Sequence, residues 1–406
     1  KSKNFKLNIK RNIIYLLSSN ILSQVILVFS MPIIGLIYLP YEIGVLSLVL
    51  SIASPIGNIS TFSFNKAIML PDSEDEYISL FNISIITSFL ICLFGQFFLF
   101  FLYLFWSIEY YFLIIPLLSF SITFFSACKD LAIKKNQYKL VSFSMLINSI
   151  ITVVFIFSGF FLKASFWALI LSYIIANIIS TIFIIYKIRL QLKLINIDFN
   201  KYLRIIKKYK TFPLYKMPAN FINTLNAEMP TFFIKAFFGT EVLGNFFIAS
   251  KIVNKPISIV SEAVNGIIYK NLSETKIERL KNQMNKIVFL ILLFTSFFTV
   301  VYLSFGRFIF NLIFDINVWK FAYSFSNILI FAAAISAALS HYSSGLLVYR
   351  KNFYFLIWEI FTTILLFIVF NLSSSLTSIN FMWMYLIVVT IRYLFLAILF
   401  NSVRNI

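Results

Sequence analysis

Runs of some twenty or more largely apolar residues, separated by short polar connections, recur along the whole chain. About 20 apolar residues in a helix are needed to cross roughly 30 Å of hydrocarbon. In that solvent the backbone must satisfy its own hydrogen bonds, which a helix does within one segment. The runs cover 13–38, 41–64, 78–105, 111–133, 138–162 and 164–187, then 211–237, 241–269, 282–305, 321–349, 352–371 and 378–400. They predict an all-α integral membrane protein with about twelve transmembrane helices. Composition agrees: 60% of the residues are hydrophobic and 12% charged, against roughly 45–50% and 25% in soluble domains. The first run is too long for a signal peptide and lacks a small-residue cleavage site. The longest connections, 65–77, 188–210, 270–281 and 306–320, are too short to be folded domains. The last of them, with Arg307 and Trp319, reads as a short interfacial helix.

The formal charge of +19 would suggest nucleic acid in a soluble protein. Here the cations follow the topology. Of 34 Lys and Arg, 26 fall on one side of the predicted membrane, only Lys163, Arg307 and Lys320 on the other, and five within spans. The positive-inside rule then places both termini in the cytoplasm, as expected for a multi-pass protein of a bacterial inner membrane. No nucleic-acid partner is expected.

A weak internal repeat runs through the chain. Met31-Pro32, Glu42, Gly44 and Pro55 recur as Met229-Pro230, Glu241, Gly244 and Pro256, at offsets between 198 and 201. Two six-helix lobes in parallel orientation, residues 1–187 and 211–406, joined by a basic cytoplasmic linker at 188–210, are one of the repeat plans found in transporters.

Polar residues inside the spans mark candidate sites. On the second span Ser47, Ser51, Ser54, Asn58, Thr61 and Asn65 keep one helix face. On its repeat counterpart Lys251, Lys255, Ser258, Glu262 and Asn265 do the same. A lysine facing lipid mid-span costs about 2.5–3.5 kcal/mol. Lys251 and Lys255 are therefore expected to face an anion-binding cavity, although pairing of Lys255 with Glu262 or snorkelling would also accommodate them. Glu228, beside Pro230 on the seventh span, is a candidate to carry a coupling H+ or Na+, with Glu262 a second; a structural ion pair is the alternative. Asn20, Ser23 and Gln24 form a polar patch on the first span, fit for sugar hydroxyls or for interhelical hydrogen bonds. Glu359 and Arg392 read as a packing pair, and Lys129-Asp130 as a solvated helix end. The acids from Asp72 to Glu76 suit the start of the third helix. Cys92 and Cys128 read as small buried hydrophobes. His341 lacks the companions a metal site needs.

No phosphate-binding loop, nucleophile elbow, zinc motif or dinucleotide fingerprint occurs. No catalytic residue, metal or cofactor is therefore expected, and an enzyme is disfavoured.

The segment Met31-Pro32-Ile33-Ile34-Gly35-Leu36-Ile37-Tyr38-Leu39-Pro40-Tyr41-Glu42-Ile43-Gly44, followed by Lys66-Ala67-Ile68-Met69-Leu70-Pro71 and its acids, resembles the Wzx-type O-antigen and capsular polysaccharide flippases of the multidrug/oligosaccharidyl-lipid/polysaccharide (MOP) exporter superfamily. Leu36 stands where relatives often carry Arg, and Ser63-Phe64-Asn65 where they often carry Arg-Tyr-Glu. The resemblance implies a MOP/MATE-like fold and a flippase that moves a polyprenyl-pyrophosphate-linked oligosaccharide of lipopolysaccharide or capsule biosynthesis to the outer leaflet by alternating access. In that reading Lys251 and Lys255 hold the diphosphate. Asn20, Gln24, Ser51, Ser54, Asn58 and Ser258 line the sugar cavity. The partners are the lipid-linked substrate, membrane lipids and a polysaccharide polymerase. A MATE-like drug/cation antiporter, or a membrane polymerase or ligase, are the rivals. The first should have acids on its cavity faces and the second a large outer loop.

Overall fold

The computed structural model describes residues 18–159, 161, 165–188, 199–272, 277–348 and 352–402, with side chains at 199, 259, 260, 262–272, 277–281, 347, 348 and 352 left out. Among these residues every regular element is a helix. Eleven helices are long and apolar enough to cross a membrane. One of them, Phe212–Ser258, has 47 residues, roughly twice what a bilayer requires. It breaks at Gly239, whose φ of 87° and ψ of 178° are not helical; a side chain there would be strained, and glycine is not. Counting its two arms separately gives the twelve spans expected.

The chain divides into two compact units. The first comprises residues 1–26 and 46–225. The second comprises residues 27–45 and 226–406. Each contains most of one expected lobe together with a piece of helix from the other half of the sequence.

In the first unit Ile115–Lys134 packs against Glu74–Trp106, Tyr138–Ser158 and Phe166–Ile188, and the last two pack on each other; Ser60 and Gly57 of Pro40–Ser60 meet Glu74–Trp106 and Ile115–Lys134. Lipid is as apolar as leucine, so helices associate through close packing and polar contacts. Hydroxyls supply these: Ser88 Oγ lies 3.0 Å from Ser60 Oγ and 3.1 Å from Thr123 Oγ1. Asn148 donates to Asn177 at 3.0 Å. The C-terminal half of Glu74–Trp106 leaves Phe94, Phe97, Phe98, Phe101 and Phe105 exposed, a surface suited to lipid.

The acids behave as the helix dipole requires. Ser73 precedes the third span, and Glu74, Asp75 and Glu76 occupy its first turn. Part of the basic linker forms the helix Phe199–Lys208, which docks on that turn. Lys201 pairs with Asp75, Lys208 with Glu76, and Lys135 with Glu74. Beneath the pairs Tyr202, Ile205 and Tyr209 are buried in the core of this unit. The hydrogen bond from Lys208 to Glu76 raises the lysine's pKa.

In the second unit the ninth span continues as Ile277–Ile313. The separate interfacial helix expected at 306–320 is thus not formed. Its first part extends the ninth span, because Phe308, Ile309, Phe310 and Leu312 prolong the apolar run past Gly306. The remainder is a tight connection in which Phe314 stacks on Phe310 and meets Trp319 edge to face. Trp319 is fully buried and its Nε1 donates to the Gly35 carbonyl at 3.0 Å.

Candidate functional site

The repeat seen in the sequence becomes a physical contact inside the second unit. The turn before Pro40–Ser60 meets the turn at the Gly239 break, and glycine is required on both sides. A Cβ on Gly44 would lie 1.9 Å from the Thr240 carbonyl oxygen, and one on Gly244 would lie 1.8 Å from that of Pro40. The two contacts mirror each other at the offset of 200 between the repeats. The Glu42 carboxylate caps its own helix by accepting from the Leu39 N–H at 2.8 Å.

Also in the second unit, Lys251 lies within the fields of both Lys255 and Glu228. The three are half-buried. The Lys251 ammonium sits 4.8 Å over the Phe247 ring, a face that attracts cations. Ser258 Oγ donates to the Lys255 carbonyl at 2.9 Å, tying it to its own helix. Tyr385 lies within the fields of both Glu228 and Arg392. Among the described side chains, two lysines against one carboxylate make this cluster cationic. Glu262 and Asn265 lie outside the described side chains. Glu359 is buried and accepts from Asn226 Nδ2 at 2.8 Å. Arg392 lies 5.0 Å over Trp358 and 4.8 Å over Tyr393.

A second polar cluster occupies the first unit. The sequence places Ser51, Ser54, Asn58, Thr61 and Asn65 on one face, but the structure gives that face two characters. Ser47 and Ser51 are buried, and Ser51 Oγ bonds back to the Ser47 carbonyl at 2.6 Å. From Asn58 onward the side chains join other elements. Asn58 Nδ2 donates to Thr224 Oγ1 at 2.8 Å. Thr61 Oγ1 donates to Asn65 Oδ1 at 3.0 Å, and Asn65 Nδ2 to Asp130 Oδ2 at 3.0 Å. The same Asp130 oxygen takes Lys66 Nζ at 2.9 Å.

Asp130 corrects the expectation of a solvated helix end: its side chain is only 13% exposed and receives two donors. Lys129 and Lys216 both feel the charges of Lys66 and Asp130. Each also lies over an aromatic ring of its own segment, Phe125 at 4.5 Å and Phe212 at 5.3 Å. Sequence reasoning missed this gathering because its members lie far apart in the chain; the periodic run ending at Asn65 was its one visible pointer. Asn20 and Gln24 are half-buried on the first helix of this unit. Neither lines the crevice of about 380 Å³ that Ser18, Ser19, Leu22, Lys139, Ser142, Phe143 and Leu146 enclose.

Comparison with known proteins places this geometry in a family. The chain's shape is similar to that of a MATE-family multidrug transporter of the MOP superfamily in an outward-facing conformation, at 13% identity and TM-score 0.62 over 96% of this chain and 93% of that one. It is similar to an inward-facing MATE-family transporter at 11% identity and TM-score 0.63, over 95% and 96%. A Pyrococcus furiosus MOP transporter, described by the reverse polarity of its binding pocket, matches at 13% identity and TM-score 0.59, over 98% and 97%. At such identities the likeness shows the fold. A search of curated protein sequences found no match. The family model for polysaccharide biosynthesis proteins matches residues 36–315, which is more than half of the chain. The chain is therefore a multi-pass membrane protein of the polysaccharide biosynthesis family, with the fold of a MOP-superfamily transporter.

Proposed function

We propose that this transporter is a flippase for polyprenyl-diphosphate-linked oligosaccharides, working by alternating access in a bacterial inner membrane with its termini in the cytoplasm. The observation that carries this reading is the cationic group Lys251–Lys255–Glu228 within a membrane span. Such a group is expensive in lipid and suits a diphosphate. The family's tie to polysaccharide biosynthesis supports this substrate class. The strong bias of Lys and Arg to one side supports the orientation. In this reading Lys251 and Lys255 take the diphosphate, and Asn20, Gln24, Ser51, Ser54, Asn58 and Ser258 meet sugars. Glu228 and Glu262 are the coupling-ion candidates, and the halves 1–187 and 211–406 rock about the cavity. A downstream polymerase would consume the flipped unit. The field of Glu228 on Lys251 gives the coupling a physical route: neutralising the acid by a proton or Na+ changes how firmly the lysine holds an anion.

The test is complementation of a strain that lacks its flippase but makes the matching lipid-linked unit, with membrane abundance controlled. Wild type should restore surface polysaccharide, and Lys251→Ala and Lys255→Ala should each lower it about tenfold or more, the loss expected for one charge-assisted contact. Well-expressed wild type that fails in its cognate background would remove the flippase reading. The antiporter reading would then be tested by cation efflux.

A further inference from the structure

The first unit holds three lysines and one carboxylate where the flippase reading needs none of them. Lys66 closes the short helix Phe64–Ala67, which packs against both the helix Ile115–Lys134 and the turn Phe212–Lys216. That packing brings Lys129, Asp130 and Lys216 to Lys66 from two other segments, and each lysine lies in the field of its neighbours. Lys66 and Lys216 are exposed and open to an anion, while Lys129 is half-buried beside them over the Phe125 ring. Asp130 is nearly enclosed and accepts from both Asn65 and Lys66 on one oxygen. Like charges held together repel unless something answers them, and a single carboxylate against three ammonium groups leaves an excess of two positive charges. A diphosphate diester carries a charge on each phosphate.

We infer that Lys66, Lys129 and Lys216 form a diphosphate-binding site on the basic side of the protein, in which Asp130 holds Lys66 until the ligand takes its place. It rests on the flippase reading and adds to it a second diphosphate site, in the other unit from Lys251 and Lys255, that captures the charged headgroup. The chemistry recognised is the diphosphate, from a lipid-linked sugar or from free pyrophosphate.

The experiment measures binding of polyprenyl diphosphate to the purified full chain in phosphatidylcholine nanodiscs, with inorganic pyrophosphate as competitor. Lys66→Gln, Lys129→Gln and Lys216→Gln should each weaken binding about tenfold, the equivalent of ~1.4 kcal/mol. Lys66→Arg should retain it, which separates lost charge from lost folding. Asp130→Asn removes the internal competitor and should tighten binding by about fivefold or more. A merely structural Lys66–Asp130 pair predicts the reverse, so unchanged or weaker binding by Asp130→Asn overturns the inference. Glutamine variants that elute and melt like wild type and bind equally well overturn it too, while leaving the flippase reading standing. Pyrophosphate that fails to compete shows that the lipid rather than the diphosphate is read, and also overturns it. Wild type that binds no polyprenyl diphosphate sinks both readings together.

Discussion

Adding one methyl group at Gly244 tests the mirrored turn contact directly. The Cβ of Gly244→Ala would stand 1.8 Å from the Pro40 carbonyl oxygen and 3.0 Å from the Pro40 Cα, where ordinary contact begins at 3.4 Å. The obstacle is backbone, so no side chain can swing away, and the two turns must part by about 1.5 Å. Separation of that size loosens Ile43, Val45 and Leu243, all fully buried. Overpacking a tight contact costs about 1–3 kcal/mol, and the fixed backbone puts this substitution at the upper end. Helix propensity works the other way, by about 1 kcal/mol in favour of alanine, so the net loss should be about 2 kcal/mol. Thermal midpoints of the purified protein, read by size-exclusion chromatography after heating, provide the assay. Gly95→Ala is the control, since its Cβ meets nothing closer than Pro116 Cγ at 3.8 Å; it should melt at or slightly above wild type. Gly44→Ala should resemble Gly244→Ala, with the Thr240 oxygen 1.9 Å away. The double variant should lose much less than the sum, because the first methyl has already opened the space the second needs. Additive losses, or a Gly244→Ala midpoint equal to that of Gly95→Ala, would refute the close approach.

Two further outcomes follow from the packing. Trp319→Phe keeps the ring against Phe314 but deletes the donor to the Gly35 carbonyl; it should cost about 1 kcal/mol, visible as a lower midpoint in the same assay. Neutralising Glu74, Asp75 and Glu76 together removes three solvent-screened ion pairs, each a small contribution to stability. Global melting should therefore change little, while trypsin should cut faster between Lys201 and Lys210. Because Lys208 has its pKa raised by Glu76, its share of the docking is complete below the ordinary lysine value of 10.5 and fades as pH climbs through the raised one. A fluorophore at Leu203→Cys should report constant docking at neutral pH and release only in strong alkali.

Much of this protein was legible before folding was considered, because hydrocarbon imposes strict rules on a chain. Length and apolarity set the twelve crossings, since backbone groups in lipid must bond within their own helix. The acidic start of the third helix was visible because cap and dipole act over one turn. The repeat at an offset of about 200 was visible as pattern alone. Its meaning was not: only the folded chain brings Gly44 to Thr240 and Gly244 to Pro40. The ninth span's extension through residue 313 was likewise hidden, because a polar Arg307 in an apolar run reads locally as a boundary. Asp130 shows the same limit at the candidate site. Its partners Asn65 and Lys66 lie on another helix, and periodicity along one segment carries no information about what a different segment brings alongside. Sequence by itself determined which segments enter the membrane, because that depends on each segment's own transfer from water. Tertiary structure decided which lysines share a carboxylate and which glycines touch, because those depend on distances between segments that no local pattern encodes.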